Sequence, residues 1–411
     1  MAKPIHLDGT TLEGGGQLFR LALSLSSLTS TPIKVTDIRG KRGTKPGQDG
    51  GIKPAHLAGA MWLAGATNAG TTGLELRSRN MVFSPSTAET ISDVIWKEVY
   101  RSEQVAKGVI NIAISTPGSV FLILQSILPF LIFAGSSIVS GSDELPSSLR
   151  LNIEGGTNVW HSLSYEYADQ VLFPMLCKKL GLGPITMRLN RRGWSLGRPS
   201  IGKIELEITP LPAGEVLPTF EYTDRGKITS FRISILGHDP QIRLGTRKMA
   251  FQKLERLFPD TEIEVLVDES SDHPSRLYLL IVAESENGFR LGRDWLYDQK
   301  VNKQRPMKTV ELLVNKVIND LQQEISHGGC VEEWLQDQLV VFQALADGRS
   351  SVDGGNPSLH TQTARWVAEE ILNVKFNASG HCKGIGFRAP AAKGPTAEKL
   401  AEDVARQLVL E

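Results

Sequence analysis

The sequence predicts a mixed α/β fold, in which a large domain of three repeated helix–strand units carries a smaller inserted α/β domain. Three observations predict it. An apolar pattern that opens with glycine occurs three times along the chain. Each copy is followed by a second stretch of helical length that leads into a strand-like segment. A region with a different pattern, in which strand-like segments surround one helical stretch, separates the second copy from the third.

The repeated pattern continues from its glycine as an apolar helix, breaks at small polar residues and ends in a β-prone segment. Its copies run from Gly14 to Val35, from Pro117 to Ser140 and from Gly328 to Val352. Each unit needs its neighbours to cover its apolar faces, so the repetition indicates how the whole fold is built.

The second helical stretch of each unit completes the order helix, strand, loop, helix, strand. These stretches run from Lys53 to Thr67 before LELRS, from Tyr165 to Gly181 before ITMRL, and from Leu359 to Asn373 before VKF. In the longer gap between copies two and three, FRISILG, EIEVLVDE and RLYLLIVAE surround one helical stretch, GTRKMAFQKLERLF.

We therefore divide the chain into three parts. Residues 1–210 and 288–392 form the large domain, residues 211–287 the inserted domain, and residues 393–411 a tail with the pattern of an amphipathic helix.

The composition is that of an ordinary soluble globular protein, with 41% hydrophobic and 22% charged residues among 411. Lys+Arg and Asp+Glu both number 45, so any site for a polyanion must be a local patch. The three cysteines are sparse and far apart, which favours a reducing compartment over a disulfide framework.

Neither a secretory leader nor a membrane span is predicted. Residues 1–9 lack the apolar core of a signal peptide. The most apolar run, from Val120 to Ala134, is too short to span a bilayer and contains Gln125 and Pro129. We expect a soluble intracellular protein that does not contact a membrane.

Polar residues at the starts of equivalent helices are the candidates for chemistry, because such helix starts can converge on one surface. The candidates are Glu13, Gln17, Arg20, His56, Gln125, Asp337, Gln338 and His360.

The segment EGGGQLFR around Glu13 has a glycine run before a helix, which lets backbone N–H groups approach an anion. The same run is also typical of a plain tight connection. Downstream, Arg39, Lys41, Arg42 and Lys45 form a basic stretch that suits phosphate oxygens, or alternatively a solvated loop.

His360 follows Pro357 and Ser358, which read as a helix entry. A positive helix end favours the neutral imidazole, and a neutral nitrogen can attack phosphorus to form a phosphoramidate. A capping or packing role is the alternative for a single histidine at this position.

Six segments in order resemble the RNA 3′-terminal phosphate cyclase family, and they cover nearly the whole large domain, from about Pro4 to Phe376. They are LDGTTLEGGGQLFRLALSLS, DIRGKRGTKPG with KPAHL, STPGSVFLILQSILP, IEGGTNVW, HGGCVEEWLQDQLVVFQALADG and SLHTQTARWVAEEI.

The resemblance implies units that each consist of a four-stranded sheet and two helices. It also implies an ATP-dependent ligase that converts an RNA 3′-phosphate into a 2′,3′-cyclic phosphate. In that reaction a histidine takes AMP from ATP, AMP moves to the RNA phosphate, and the neighbouring 2′-hydroxyl closes the ring. A divalent metal, Mg²⁺ or Mn²⁺, is the implied cofactor.

By position, His360 matches the family's nucleophile and Glu13 matches the acidic residue near the metal. The positions that match basic active-site residues are Arg20, Arg39, Arg42 and His56. The positions that match the ATP-binding residues are Gln125, Trp334, Leu335, Gln336, Asp337 and Gln338. An aromatic face at Trp334 suits stacking on adenine.

The chain departs from the family pattern at five places. Ala55 replaces a glutamine, Trp334 replaces a tyrosine, and the residues from Trp160 to Leu163 stand where an Ala-Pro pair is usual. The glycine-rich strand entry is reduced to GWSLGRPSIG, and the loop from Gly43 to Gly51 is lengthened.

Three alternatives remain open from the sequence. The first is the cyclase-like ribosome-assembly branch, which lacks the nucleophile, whereas this chain has His360 within LHTQT. The second is an enolpyruvyl transferase, whose substrate motifs are not matched. The third is an RNA-end-binding protein without turnover. The segment GGCVEEWLQDQL resembles the corresponding segment of eukaryotic family members, and this resemblance implies a nuclear location. The oligomeric state is left open.

Overall fold

The structure, a computed structural model, describes residues 3–42, 50–86, 109–139, 148–299 and 304–390. The amphipathic tail predicted at residues 393–411 and nearly all of the lengthened loop at 43–51 lie outside the described residues.

The first two units have the same order of elements. The first contains β1 (Ile5–Asp8), α1 (Gly16–Thr29), β2 (Ile33–Thr36), α2 (Pro54–Ala66), β3 (Gly70–Thr72) and β4 (Met81–Ser84). The second contains β5 (Val109–Ala113), α3 (Val120–Val139), β6 (Leu149–Gly155), an irregular helix α4, β7 (Ile185–Arg191) and β8 (Gly202–Ile208). Helix α4 joins an α-helical turn, Tyr165–Tyr167, to the π-helical segments Ala168–Leu172 and Met175–Lys179.

The third unit is interrupted after its first strand, β9 (Glu221–Tyr222). The interrupting elements are β10 (Ile228–Gly237), α5 (Pro240–Leu257), β11 (Glu262–Glu269), β12 (Leu277–Ser285), β13 (Arg290–Leu296) and α6 (Pro306–Ser326). The unit then resumes with α7 (Glu333–Leu345), β14 (Arg349–Val352), α8 (Leu359–Leu372) and β15 (His381–Lys383).

The sheets show the same repetition as the order of elements. The first two have strand orders β1-β2-β4-β3 and β5-β6-β8-β7, and in each the first pair is parallel while the other pairs are antiparallel. The third has the order β15-β14-β9 among the described residues, with β9 and β14 parallel. The predicted mixed α/β fold is confirmed.

The inserted sheet extends differently from the predicted range 211–287. Strand β9, inside that range, pairs with β14 of the third unit. Strand β13, beyond the range, pairs with β12, and helix α6 packs on both of them. Strand pairing is a long-range property that a local pattern does not reveal. We therefore propose that the insertion runs from β10 to α6.

The segment LELRS, expected to be a strand, is a turn in the structure. Arg77 has a positive φ of 66°, a conformation that interrupts an extended strand. The neighbouring Leu76 is 52% exposed, whereas Leu74 is partly buried against the core, so the two leucines do not form one buried face of a strand. The strands of this hairpin are β3 and β4 on either side of the turn.

Helix α1 lies at the centre of the large domain. It contacts α2, α3 and α8, and every residue from Gln17 to Leu28 is buried. In a helix that is covered all round, long polar side chains need partners from the surrounding elements. Gln17 and Arg20 have such partners, whereas the hydroxyls of Ser24 and Ser27 find none among the described residues.

The inserted sheet is covered on both faces. Leu279 and Ile281 of β12 face α5 and α6, whereas Leu280 and Val282 join the core of the large domain. This explains why β12 is a continuous apolar run rather than an alternating one. Within the described ranges, no helix combines the length and the apolar character that a bilayer crossing demands.

The contact between β13 and α4 leaves no room for a side chain at Gly292. A Cβ at this position would lie 2.7 Å from Cγ2 of Val171 and 3.1 Å from the Tyr167 ring. We expect Gly292→Ala to lower the free energy of unfolding by ~1–3 kcal/mol through overpacking, measured by urea denaturation.

The matched control is Gly70→Ala, because a Cβ at Gly70 would meet no atom within 4 Å. Its effect should stay within ~0.5 kcal/mol. Equal effects of the two substitutions would show that the sheet does not pack tightly on α4.

Candidate functional site

Two buried polar residues of α1 lie three positions apart and hold the candidate site together. Gln17 is 1% exposed and Arg20 is 7% exposed. Gln17 binds side chains of the third unit, and Arg20 binds side chains of the first and second units. The three units therefore meet at one face of one helix.

A chain of hydrogen bonds connects the candidate nucleophile to a buried carboxylate. The Gln338 and Gln17 side-chain amides donate to the two oxygens of Asp337, over 2.5 Å and 2.8 Å. The oxygen of Gln17 lies 2.8 Å from Nδ1 of His360.

The chain fixes the tautomer of the imidazole. When Asp337 is ionised, its carboxylate only accepts hydrogen bonds, so the amide nitrogen of Gln17 faces Asp337 and its oxygen faces His360. Nδ1 of His360 therefore carries the proton and donates it to Gln17. The lone pair lies on Nε2, which is the nitrogen available for attack.

His360 lies in the first turn of helix α8 and is exposed to solvent. Ser358 caps the helix, since its hydroxyl accepts from the N–H of Thr361 at 3.2 Å. Partial burial lowers the pKa of His360 below 6.5, with Arg20 and Arg42 adding to the shift and Glu13 opposing it. The imidazole is therefore neutral at neutral pH.

Arg20 is fixed by two side chains that the sequence placed in the site. Its Nε donates to the oxygen of Gln125 at 2.5 Å, and an η-nitrogen donates to Nε2 of His56 at 3.0 Å. Burial lowers the pKa of Arg20 to about 10, so it remains protonated at neutral pH. Burial, followed by the charge of Arg20, lowers the pKa of His56 well below 6.5.

The glycine run before α1 permits this close packing. A Cβ at Gly16 would lie 2.5 Å from the ring of His56 and 2.7 Å from an η-nitrogen of Arg20. The run is therefore more than a flexible connection, because a side chain at this position would displace the histidine or the arginine.

Glu13, Arg39 and Arg42 complete the cluster at its solvent side. Arg42 donates to Oε1 of Glu13 at 2.5 Å, and the N–H of Gly15 donates to Oε2 at 2.9 Å. Arg39 lies within electrostatic range of Arg20, Arg42 and Glu13, and burial is the main cause of its lowered pKa. Three arginines beside the two carboxyl groups of Glu13 and Asp337 leave an excess of positive charge for an anion.

Three of the predicted ATP-binding positions lie outside this hydrogen-bonded cluster. The side chain of Leu335 is fully buried in the core. Gln336 accepts from the hydroxyl of Thr361 at 3.1 Å, on the other side of α7. Trp334 has the guanidinium of Arg293 over its ring at 4.2 Å and the ring of Tyr167 at 5.7 Å.

A metal would find one candidate protein ligand here, Glu13. Among the described residues, no group of three or more His, Cys, Asp or Glu side chains has the geometry to hold a metal ion. Mg²⁺ is commonly held by one or two carboxylates together with substrate phosphates. The single carboxylate of Glu13 fits that mode rather than a cage made by the protein alone, although its side chain is 7% exposed and both of its oxygens already accept from Arg42 and Gly15.

The pattern reasoning assigned no role to two residues that the geometry makes important. Gln17 was noticed only as a polar residue at a helix start, yet it joins His360 to Asp337. Thr363 was overlooked, and its hydroxyl accepts from the N–H of Glu13 at 3.1 Å. A polar residue within an otherwise apolar helix is the available signal for Gln17, whereas Thr363 lies in a helix with many polar residues and gives no such signal.

Asp337 makes the stability of the protein dependent on pH. Burial raises its pKa from 3.8 to about 7, against the hydrogen bonds from Gln338 and Gln17 and the charge of Arg20. The folded state therefore binds more protons than the unfolded state between these two pKa values, and stability falls as pH rises through this range.

Asp337→Asn removes this titration. The unfolding free energy of the variant minus that of the parent should increase between pH 4 and pH 7, by ~1.4 kcal/mol for each unit of pKa shift removed. Urea denaturation of both proteins across the range measures it, and taking the difference cancels every other titrating group. A difference independent of pH would contradict the raised pKa.

Comparisons with known proteins agree with the resemblance. The family model for RNA 3′-terminal phosphate cyclase matches residues 11–378. An RNA 3′-terminal phosphate cyclase of Drosophila melanogaster is 29% identical over 405 residues, covering 93% of this chain and 97% of the relative. Relatives with that name from Pyrobaculum aerophilum and Pyrococcus abyssi are 26% and 28% identical, over 91% and 92% of this chain and 94% and 95% of their own. The chain belongs to the RNA 3′-terminal phosphate cyclase family.

Proposed function

We propose that the protein uses ATP to convert RNA 3′-phosphate ends into 2′,3′-cyclic phosphates, with AMP carried covalently on His360. Family membership supports the overall reaction. The observation that carries the role of His360 is its hydrogen bond to Gln17, which leaves a neutral, accessible Nε2 beside a cluster of arginines.

In the first step, Nε2 of His360 attacks the α-phosphorus of ATP. The new N–P bond forms as the bond to the bridging oxygen breaks, and pyrophosphate leaves. The imidazole ring becomes positively charged, and its Nδ1–H donates more strongly to Gln17. Asp337 at the far end of the chain stabilises this charge, since Gln17 relays the hydrogen bond to it.

In the second step, an oxygen of the RNA 3′-phosphate attacks the same phosphorus and the N–P bond breaks, which frees His360. In the third, the neighbouring 2′-hydroxyl attacks the RNA phosphorus and AMP leaves. Joining the terminal phosphate to AMP supplies the leaving group that a phosphate monoester lacks. Such transfers depend mainly on positioning and on neutralising charge.

The arginines supply that neutralisation. Arg39 and Arg42 lie toward solvent and are placed to receive the triphosphate or the RNA phosphate, whereas Arg20 is fixed deeper by His56 and Gln125. We assign Gln125 to nucleotide binding through the position that it gives to Arg20. The neutral His56 accepts from Arg20 and serves to orient it.

The remaining nucleotide-binding positions lie in the first turns of α7. Asp337 and Gln338 belong to the hydrogen-bonded chain that ends at His360. Trp334 keeps its proposed role in stacking on adenine through ring surface that Arg293 does not cover. Leu335 and Gln336 would act by shaping the helix, because their side chains are engaged elsewhere.

A divalent metal, Mg²⁺ or Mn²⁺, would be held by Glu13 together with nucleotide phosphate oxygens. When bound, it would neutralise negative charge that develops on the phosphates. Glu13 is also the partner of Arg42, so a ligand on this carboxylate would compete with that arginine.

Nuclear location and RNA 3′-phosphate ends as partners belong to the same proposal. The rival function is that of a protein with this fold that is not adenylylated. Such a protein would take no label in the experiment described below. No contact in the described residues favours it.

His360→Ala should abolish labelling of the protein by α-labelled ATP, because the variant lacks the nucleophilic nitrogen. The parent should carry AMP in an acid-labile bond that hydroxylamine cleaves, as expected of a phosphoramidate. Autoradiography of the denatured protein measures the label.

The control is His238→Ala, which changes an exposed histidine of the inserted domain and should label as the parent does. Label that persists in His360→Ala would remove this residue from its role. A parent that never labels would favour the rival function.

Gln17→Met should lower the rate of adenylylation by ~10–100-fold, because His360 loses the partner that fixes its tautomer. The loss should appear in kcat, with the KM for ATP nearly unchanged, since Gln17 orients the nucleophile and does not bind nucleotide. Single-turnover labelling at several ATP concentrations separates the two constants.

Gln170→Met is the matched control, because Gln170 is also a buried glutamine and pairs with Ser234 of the inserted sheet at 2.8 Å. It should affect stability while leaving kcat unchanged. A similar loss of kcat in both variants would show that Gln17 acts only through stability.

A further inference from the structure

An exposed pair of aromatic rings lies on the loop that follows β6. Trp160 is 47% exposed, and among the described residues no other aromatic side chain belongs to the strongly exposed large hydrophobic group. The His161 ring packs against it, with centroids 3.9 Å apart and planes 35° from parallel. We call these two residues the Trp160–His161 platform.

The platform is held on a rigid base. The N–H of Trp160 donates to the hydroxyl of Ser195 at 3.0 Å. The hydroxyl of Ser162 donates to that of Ser119 at 2.5 Å, and Ser119 is buried at the start of α3. An exposed tryptophan on such a base presents its ring at little cost in conformational entropy.

The backbone of the platform is strained at His161, and a role of the side chain would account for a non-glycine residue there. The N–H of Ser162 bonds to the carbonyl of Val159 at 3.2 Å, which closes a turn with His161 in its third position. His161 has a φ of +59°, a left-handed conformation that glycine adopts more readily than histidine. The ring contact with Trp160 gives a reason for a histidine at this place.

The platform lies beside the candidate site. Ser119, which anchors the platform, follows Gly118, where a Cβ would lie 3.5 Å from the Cβ of Ala55 at the start of α2. Partial burial, followed by the charge of Arg42, lowers the pKa of His161. Arg42 in turn binds Glu13, and both residues act electrostatically on His360. An RNA strand whose terminal phosphate meets these arginines would pass the platform.

We propose that the Trp160–His161 platform stacks the 3′-terminal base of the RNA and thereby positions its phosphate at Arg42 and His360. The inference rests on the proposed function and deepens it by assigning a subsite for the RNA end. Trp160 is a positioning residue, because it contacts the base and not the reacting phosphorus.

The chemistry of the surroundings favours a nucleobase as the occupant. Aromatic side chains next to a cationic groove form the usual arrangement for single-stranded nucleic acid, since every base offers a π-face for stacking. The adenine of ATP is the competing occupant. RNA-free labelling separates the two, because it requires ATP alone.

Binding to a short, 5′-fluorescein-labelled RNA with a 3′-phosphate tests the inference by anisotropy, with the full chain and no ATP. Trp160→Ala should weaken binding by about tenfold or more, and Trp160→Phe should restore much of it. His161→Gly should also weaken binding, although it relieves the strained φ and keeps or raises stability. That opposition distinguishes a binding role from a structural one.

A second probe lacks the base of its terminal nucleotide. The parent should bind it more weakly than the intact RNA, and Trp160→Ala should bring no further loss. Leu244→Ala, which truncates an exposed hydrophobic residue of the inserted domain, should bind both probes as the parent does.

Four results would overturn the platform. They are equal binding of intact RNA by parent and Trp160→Ala, an equal loss on the abasic probe, no RNA binding by the parent, or a raised KM for ATP in RNA-free labelling of Trp160→Ala. Because binding is measured without ATP, a parent that binds RNA but takes no label would refute adenylylation and leave the platform standing.

Discussion

The need to pair two buried polar side chains of α1 organises this structure. A helix surrounded by α2, α3 and α8 cannot leave Gln17 and Arg20 unpartnered, since a buried polar group without a hydrogen bond costs ~1–3 kcal/mol. Gln17 finds Asp337 and His360, while Arg20 finds His56 and Gln125. Each unit contributes partners, so correct docking of the units and assembly of the cluster are one event.

The same pairing creates two different electrostatic environments within one site, one around Arg20 and His56 and the other around His360. Arg20 keeps its charge in the interior because Gln125 and His56 accept from it, whereas burial and that charge keep His56 neutral. His360, nearer to solvent, is also neutral, but Gln17 orients its proton away from the arginines. A nucleophile without charge beside fixed cations is suited to a phosphorus that carries negative oxygens.

Much of this arrangement could be predicted from the sequence, because it follows from local patterns. The threefold apolar repeat gave the order of units, and polar residues at equivalent helix starts identified Glu13, Arg20, His56 and His360 as neighbours. Features that depend on pairing between distant segments could not be predicted in the same way. Strand β9 has only two residues and is recognisable by its partner β14, and the positive φ of Arg77 turns an apparent strand into a turn.

The sequence motif also did not predict which side chains of a helix point toward the site. The family resemblance implies one binding segment from Trp334 to Gln338, but consecutive helical residues face different sides. Leu335 faces the core and Gln336 faces Thr361, so Asp337 and Gln338 alone reach the chain to His360. A motif indicates which turn of helix lies at a site, and its periodicity decides which side chains take part.

The inserted domain contributes to the site although it holds none of the predicted site residues. It interrupts the third unit directly before α7, the helix that carries Asp337. Arg293 of β13 contacts Glu324, Glu332 and Glu333 and covers the ring of Trp334.

Glu332 caps α7 through the N–H groups of Trp334 and Leu335 and also accepts from Tyr167, and burial raises its pKa to about 7. Arg293 favours the ionised form of this cap, which can accept all three hydrogen bonds. The inserted sheet therefore helps to fix the first turn of α7, and through that turn the direction in which Asp337 meets Gln17.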